Sequence, residues 1–232
     1  MIAMCRFVAG QITTVLGGYM KMKKPLCLLI FMLLLGCSHE VTVKPIVSPV
    51  ASKLIDQKIE GNIAIFISPE LAELSKIVEP HSRYCSATNF PLEAGQSIKA
   101  SLIKTAQNVF KNCRPVDSVP QNHGFDGILA AELLDFDVDL KFSDGTWSGT
   151  AESWVEMNIL LTFYDAKLNP IWRSVVGYSK KDFADAGPTC GGGAVAISGS
   201  MEQCLKNISI QMAEKIADSN KIKVTLARAP RR

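Results

Sequence analysis

The sequence predicts an α+β domain in which an antiparallel-rich or mixed sheet packs against helices on one face. Three observations support this class: an isoleucine-rich run near residue 62, segments of alternating apolar residues between 127 and 178, and two segments with apolar residues at helical spacing. The order strand, helices, antiparallel strands, helix is typical of α+β folds. We therefore expect one sheet whose helices all lie on the same side.

The first strand is predicted over residues 62–68, where isoleucines dominate a short apolar run. A helix is predicted directly after it, because Ser68 can cap, Pro69 suits the first helical position, and apolar residues recur at helical spacing before Pro80. The clearest amphipathic helix is predicted over residues 97–113, and its apolar stripe indicates core packing.

Three further strands are predicted over residues 127–140, 151–164 and 171–178, because apolar and polar residues alternate there. Asp144-Gly145 supplies a hairpin-type turn between the first two of these strands. A glycine-rich connection over residues 179–200 then leads to a final helix over residues 201–218. These elements predict an antiparallel meander followed by a helix.

The amino-terminal region has the three parts of an export signal. Lys21, Lys23 and Lys24 precede an apolar core over residues 26–35, and a small residue, Gly36, follows. A membrane-spanning helix needs about 20 apolar residues, so an uncleaved anchor is the weaker alternative. Signal peptides run about 15 to 30 residues, so we expect a signal region over residues 1–36, with residues 1–19 upstream of the true start.

The run Leu34-Leu35-Gly36-Cys37 resembles the lipobox of bacterial lipoproteins. This resemblance implies that Cys37 is acylated, for example with palmitate, and becomes the first residue of the mature chain. Two or more acyl chains give stable membrane attachment without a basic patch. In the enterobacterial form of the sorting rule, Asp after the cysteine favours the inner membrane, so Ser38 implies an outer-membrane lipoprotein that faces the periplasm.

Removal of the signal region changes the charge balance. That region holds four of the 25 basic residues and no acidic residue, which leaves 21 basic against 22 acidic side chains. This balance predicts no nucleic-acid partner and no polybasic membrane patch. We expect residues 37–61 to be a lipidated cysteine and flexible tether, residues 62–220 a single periplasmic domain, and residues 221–232 a basic tail.

Four cysteines follow Cys37 in the mature chain: Cys85, Cys113, Cys190 and Cys204. An even number in an exported domain predicts disulfides, with three possible connectivities. We favour Cys85 with Cys113 and Cys190 with Cys204, because each pair brackets a local segment whose closure contributes roughly 3 to 4 kcal/mol in the chain-entropy model. Free buried thiols are the alternative.

Two motifs resemble ligand sites but lack essential residues. Asp135, Asp137 and Asp139 have the spacing of a calcium loop, yet the glycine and the closing glutamate of that loop are missing, so an acidic strand face is predicted instead. The glycines after Cys190 lack the Gly-Lys-Ser/Thr of a phosphate-binding loop. We interpret these glycines as a flexible connection.

A third pattern concerns histidine and cysteine. His81 and Cys85 lie four residues apart, with Cys113 and His123 further on, which leaves open a zinc site or a Cys/His catalytic pair. Disulfides are the more common use of cysteine in an exported domain. We therefore expect no metal, no cofactor and no catalytic residue, and we retain a periplasmic enzyme using Cys85 or His123 as the alternative.

The order of elements over residues 62–218 also resembles small periplasmic lipoproteins with a domain like the amino-terminal part of TolB. The shared features are the lipobox, a first strand, a helix, a hairpin containing Tyr164-Asp165 and Ile171-Trp172, and a carboxy-terminal helix. The resemblance implies an accessory or assembly role in the cell envelope. We therefore expect a lipid-anchored binding protein that docks an envelope protein or another envelope component, rather than an enzyme.

Overall fold

A computed structural model describes residues 38–45, 57–119, 124–143 and 149–228. The predicted signal region, Cys37, His123 and the predicted Asp144-Gly145 turn lie outside these residues. Within them, no helix is long and apolar enough to cross a membrane. The strands are β1 (Ile59–Ile67), β2 (Ser75–Val78), β3 (Phe90–Glu93), β4 (Phe110–Val116), β5 (Gly127–Ser143), β6 (Thr150–Asp165) and β7 (Pro170–Asp185). The helices are α1 (Pro69–Ala72), α2 (Gly95–Val109), α3 (Gly192–Ala217) and α4 (Asn220–Arg228).

Five strands form one mixed sheet in the order β4-β1-β5-β6-β7. Strand β1 is parallel to both β4 and β5, whereas β5, β6 and β7 form an antiparallel meander. The chain passes from β1 to β4 through α2, the kind of crossover that a parallel pair requires. Strands β2 and β3 form a separate antiparallel pair. The predicted α+β class is confirmed.

The core lies between the sheet and the long helices α2 and α3. Every second residue of β6 is buried, and these residues meet the apolar stripe of α3 predicted from its helical spacing. The β6 set is Val155, Met157, Ile159, Leu161 and Phe163, and the α3 set is Met201, Leu205, Ile208, Met212 and Ile216. Apolar residues recur every 2.0 residues in the strand and every 3.6 residues in the helix, so each element buries one face.

The structure differs from the sequence prediction at two helix ends. The helix after β1 covers only Pro69–Ala72; Ile77 and Val78 belong to β2, and Leu74 lies between the two elements. The amphipathic helix ends at Val109 rather than at residue 113, because residues 110–116 pair in parallel with β1 as strand β4. In both places pairing with another strand overrides the helical pattern of the sequence.

The glycine-rich connection is also shorter than predicted. Strand β7 continues to Asp185 and α3 begins at Gly192, so only residues 186–191 connect them. Gly193 is buried, and a Cβ there would lie 2.6 Å from the ring of Phe90 and 2.9 Å from that of Phe142. The interpretation of these glycines as a flexible linker is therefore wrong for Gly192 and Gly193, which allow close packing.

The residues predicted as a flexible tether are partly docked. Residues 38–45 run beside β3, and Val41 and Val43 are only 2% and 7% exposed. Strand β1 begins at Ile59, so the folded body starts before residue 62. The predicted basic tail likewise contains helix α4, because Ile222 and Leu226 are buried against the core.

Candidate functional site

The antiparallel meander presents a surface on the side away from the core, which we call the outer face. Its residues alternate with the buried ones and are mostly half-buried or exposed. Strand β5 contributes Glu132, Asp135, Asp137, Asp139 and Lys141; β6 contributes Glu152, Trp154, Glu156, Asn158 and Leu160; β7 contributes Arg173, Val175, Ser179, Lys181 and Phe183. The predicted acidic face of β5 is thus part of a wider three-stranded surface.

Several charged side chains of the outer face are paired. Asp139 contacts Lys141 Nζ at 2.9 Å and His81 Nδ1 at 2.7 Å, Lys181 Nζ lies 2.7 Å from Glu152, and Lys76 Nζ lies 3.0 Å from Asp137. Two of these contacts join β5 to β2 and to the loop after β2, one lies within β5, and one joins β6 to β7. Cross-strand and flanking pairs of opposite charge stabilise a sheet surface modestly.

The same contacts shift three pKa values. A hydrogen bond from Lys76 lowers the pKa of Asp137, and the hydrogen bond to Asp139 raises the pKa of Lys141. Partial burial opposes the ionisation of Asp139, but hydrogen bonds and positive charge from Lys141 and His81 outweigh it, so the pKa of Asp139 is lowered. Both carboxyl groups are therefore held in their charged form at neutral pH.

Trp154 lies at the centre of this charged group. In register it stands directly opposite Asp139 on β5 and Lys181 on β7. Together with Lys141 and Glu152 these residues line a shallow depression of about 260 Å³. An indole beside paired charges offers apolar contact area and a hydrogen-bond donor, a combination enriched at protein interfaces.

A second cluster lies at the end of the domain that carries residues 38–45. Cys85 and Cys190 form a disulfide there, with their Cα atoms 5.9 Å apart. The ring of His39 stacks on Phe90, Phe90 lies 6.0 Å from Phe142, and Tyr84 meets Phe142 edge-on at 6.1 Å. The disulfide and these rings hold the loop after β2 against the start of α3.

The predicted disulfide pairing is wrong. Cys85 is joined to Cys190, while Cys113 and Cys204 are thiols on β4 and α3. Burial raises the pKa of both thiols to about 12, and Cys204 Sγ donates to the carbonyl of Tyr178 at 3.2 Å. The local-loop argument failed because the fold brings the loop after β2 to the start of α3, although these segments are 105 residues apart.

Among the described residues, those considered for metal binding or catalysis do not form one group. Cys85 is bonded to Cys190, His81 pairs with Asp139, and Cys113 lies on the edge strand β4. Over the described ranges, no three His, Cys, Asp or Glu side chains are arranged to hold a metal ion. Sequence reasoning found the acidic face of β5 but missed Trp154. The sequence does hold a sign of it: in β6, where apolar and polar residues alternate, Trp154 occupies a position of the polar set.

No family profile matches the chain, and no curated protein matches it in sequence. Among solved structures, the chain is similar to a Helicobacter pylori protein provisionally described as a neuraminyllactose-binding hemagglutinin homolog. That likeness has 12% identity and a TM-score of 0.42, and it covers 76% of this chain and 97% of the other.

The chain is also similar to a minor lipoprotein from Acinetobacter baumannii, with 9% identity, a TM-score of 0.37, and coverage of 69% and 92%. It is similar as well to a protein from Caulobacter crescentus, provisionally described as a lipoprotein. That likeness has 10% identity and a TM-score of 0.37, and it covers 67% of this chain and 87% of the other. TM-scores this low carry no inference about what the present chain binds.

Proposed function

We propose that this chain is a lipid-anchored accessory protein of the bacterial outer membrane, facing the periplasm, that binds an envelope protein through the outer face. The address is supported by the basic residues, apolar core and lipobox-like run that end at Cys37. The near-neutral balance of the remaining chain supports attachment through lipid rather than through a basic surface.

One observation carries the binding role: the outer face exposes large apolar side chains, one of them near Trp154, on a surface where several charges are paired. Phe183 is 59% exposed, and its strand neighbour Lys181 stands opposite Trp154. Val175 on the same strand is 45% exposed. Aromatic residues within a polar rim are typical of protein-binding surfaces, where the aromatic contacts supply most of the affinity.

The charge of the outer face favours a particular partner chemistry. Its side chains include more carboxylates than basic groups: Glu132, Asp135, Asp137, Asp139, Glu152 and Glu156 against Lys141, Arg173 and Lys181. Complementary charge speeds encounter and suppresses wrong partners more than it adds affinity. The expected partner surface is therefore basic, with an apolar centre that covers Trp154 and Phe183.

The alternative is a periplasmic enzyme using a Cys/His pair. Cys85 would first have to be released from its bond to Cys190 before its sulfur could act as a nucleophile. Raised pKa values keep the thiols of Cys113 and Cys204 protonated at neutral pH, which opposes a nucleophilic role. These observations favour the binding role.

Affinity capture from detergent-solubilised envelopes tests the proposal. The full acylated chain is compared with a Trp154→Ala, Phe183→Ser double variant and with Val224→Ser, a control that changes an exposed apolar residue on α4. The wild type and the control should retain the same protein, the double variant severalfold less of it, and binding should weaken as salt rises. Thermal unfolding checks that all three chains are folded.

Two results would overturn the binding role. One is equal retention by all three chains, because it would place any partner elsewhere on the surface. The other is turnover of an envelope substrate by the purified domain when no chain retains a partner. Loss of turnover both on oxidation of the Cys85–Cys190 pair and in Cys85→Ser, with turnover kept in Cys190→Ser, would then assign the activity to Cys85.

A further inference from the structure

The segment that follows Cys37 is built into the folded domain. His39 N–H donates to the carbonyl of Asn89 at 3.1 Å, and Val41 N–H donates to that of Pro91 at 2.9 Å, which adds a short parallel partner to β3. The buried side chain of Val41 completes this contact. Residues 38–45, which we call the docked segment, are therefore held by backbone pairing.

Side chains of both long helices fix the docked segment further. Ser97 Oγ on α2 donates to the carbonyl of Val43 at 2.7 Å, and Ser198 Oγ on α3 donates to that of Thr42 at 2.6 Å. His39 Nε2 lies 2.6 Å from the carbonyl of Thr189, beside the disulfide. The segment is thus bonded to elements far from it in sequence, and a free tether makes no such contacts.

We propose that the docked segment seats the domain directly on the membrane, with phospholipid headgroups against the end that carries Arg83, Tyr84 and Asn89. The inference rests on the proposed acylation of Cys37. Consecutive Cα atoms are about 3.8 Å apart, so the lipid would emerge beside Ser38, which bridges to Asn89. A flexible tether would instead allow a separation of tens of ångströms.

The surface around this exit point suits a headgroup layer. Arg83, Tyr84 and Asn89 are all exposed, and Tyr84 is 38% exposed while its ring rests on Phe142. Tyrosine is enriched at the membrane–water interface because its ring is apolar and its hydroxyl is polar. An arginine beside it can contact a lipid phosphate.

The orientation has a consequence for binding. Helix α4 packs near Gly61, close to the start of β1. The point where the lipid would emerge, beside Ser38, lies next to the ends of β5 and of β7. The outer face of strands β5–β7 therefore stands roughly upright on the membrane, and a partner would approach it from the side. The surface is accessible without any movement away from the bilayer.

Photo-crosslinking of the full acylated chain in vesicles of phosphatidylethanolamine and phosphatidylglycerol tests the seating. A benzophenone amino acid replaces Tyr84 in one variant and Val224 in a control, since both native residues are exposed. Lipid adducts measured by mass spectrometry should be severalfold more abundant at position 84. Equal yields at the two positions would overturn the seating.

Two insertions test whether the docked segment causes the seating of the domain on the membrane. A flexible insertion of about twelve residues after Ser38, long enough to reach tens of ångströms, should abolish the excess of adducts at position 84. The same insertion after Val50 should leave it unchanged, because the docked segment precedes that site. Equal effects of the two insertions would also overturn the proposal.

The failure of this inference can be told apart from the failure of the proposed function. The mass of the mature amino-terminal peptide and flotation with vesicles are measured on the same samples. A chain without acyl groups that does not float would overturn both the lipid anchor and the seating. A floating, acylated chain with equal crosslinking at both positions would overturn the seating alone.

Discussion

The side-chain amide of Gln211 on α3 makes two hydrogen bonds to the backbone of Gly177 on β7. Gly177 N–H donates to Oε1 at 3.3 Å, and Nε2 donates to the Gly177 carbonyl at 2.8 Å. Strand β7 ends the sheet order, and an edge strand presents backbone groups that can pair with another chain. Gln211 occupies that pairing position, and Lys215 Nζ bonds the carbonyl of Val175 at 2.5 Å on the same strand.

Replacement of Gln211 tests whether its side chain prevents the edge strand β7 from pairing with another chain. We expect Gln211→Ala to lower the free energy of unfolding by about 1–2 kcal/mol, because two partly buried backbone groups lose their partner. Self-association measured by sedimentation should also rise, because the edge becomes available for pairing. Gln203→Ala, at an exposed position of the same helix, is the control and should change neither quantity.

The disulfide joins segments that are distant in sequence, so its loss should be costly. The chain-entropy model assigns about 4–5 kcal/mol to a closed loop near 100 residues, the size class of Cys85–Cys190. The Cys85→Ser, Cys190→Ser variant should lose a comparable share of its unfolding free energy in urea. A loss no larger than that of Cys113→Ser would contradict the bond between Cys85 and Cys190 and favour another pairing.

Peptide mapping without reduction decides the cysteine connectivity directly. We expect one disulfide-linked peptide pair containing Cys85 and Cys190, and unmodified thiols at Cys113 and Cys204. Because burial raises both thiol pKa values to about 12, alkylation of the native chain near pH 8 should be slow and should become fast on denaturation. A link between Cys113 and Cys85 would instead support the local pairing that the sequence predicts.

Local pattern predicted the meander and the long helices well, and it failed where distant segments decide the structure. Alternation in residues 151–164 and helical spacing after Met201 each report the one face that the element buries. Strand β4 depends on pairing with β1, and the sequence of residues 110–116 alone does not predict this pairing.

The same reason explains why the sequence did not predict the pairing of residues 38–45 or the close packing at Gly193. Residues 38–45 contain no long apolar run. Hydrogen bonds to β3 and from Ser97 and Ser198 on the helices fix their position. Gly193 is required by the nearby rings of Phe90 and Phe142, which only the folded chain brings together. For the outer face, alternation on β5 located the carboxylates and Lys141, but two of the partners, Lys76 and His81, come from β2 and the loop after it.

Asp139 should make the stability of the domain depend on acid pH. Its folded-state pKa is lowered, so its contribution is present above its unfolded-state pKa of about 3.9 and is lost as pH falls through the lower folded-state value. Asp139→Asn should therefore reduce the unfolding free energy at pH 7 by no more than about 1 kcal/mol, since the pair is partly solvated. It should also flatten the fall in stability below about pH 4.

Urea unfolding from about pH 7 to pH 2 measures both effects, over the range in which carboxyl groups of lowered pKa titrate. Asp117→Asn is the matched control, because the side chain of Asp117 is fully exposed and Lys99 Nζ lies 3.9 Å away. That variant should follow the wild type at every pH. If Asp139→Asn kept the full acid dependence of the wild type, the contacts of Lys141 and His81 with Asp139 would not contribute to stability, and the other carboxylates would carry the acid dependence.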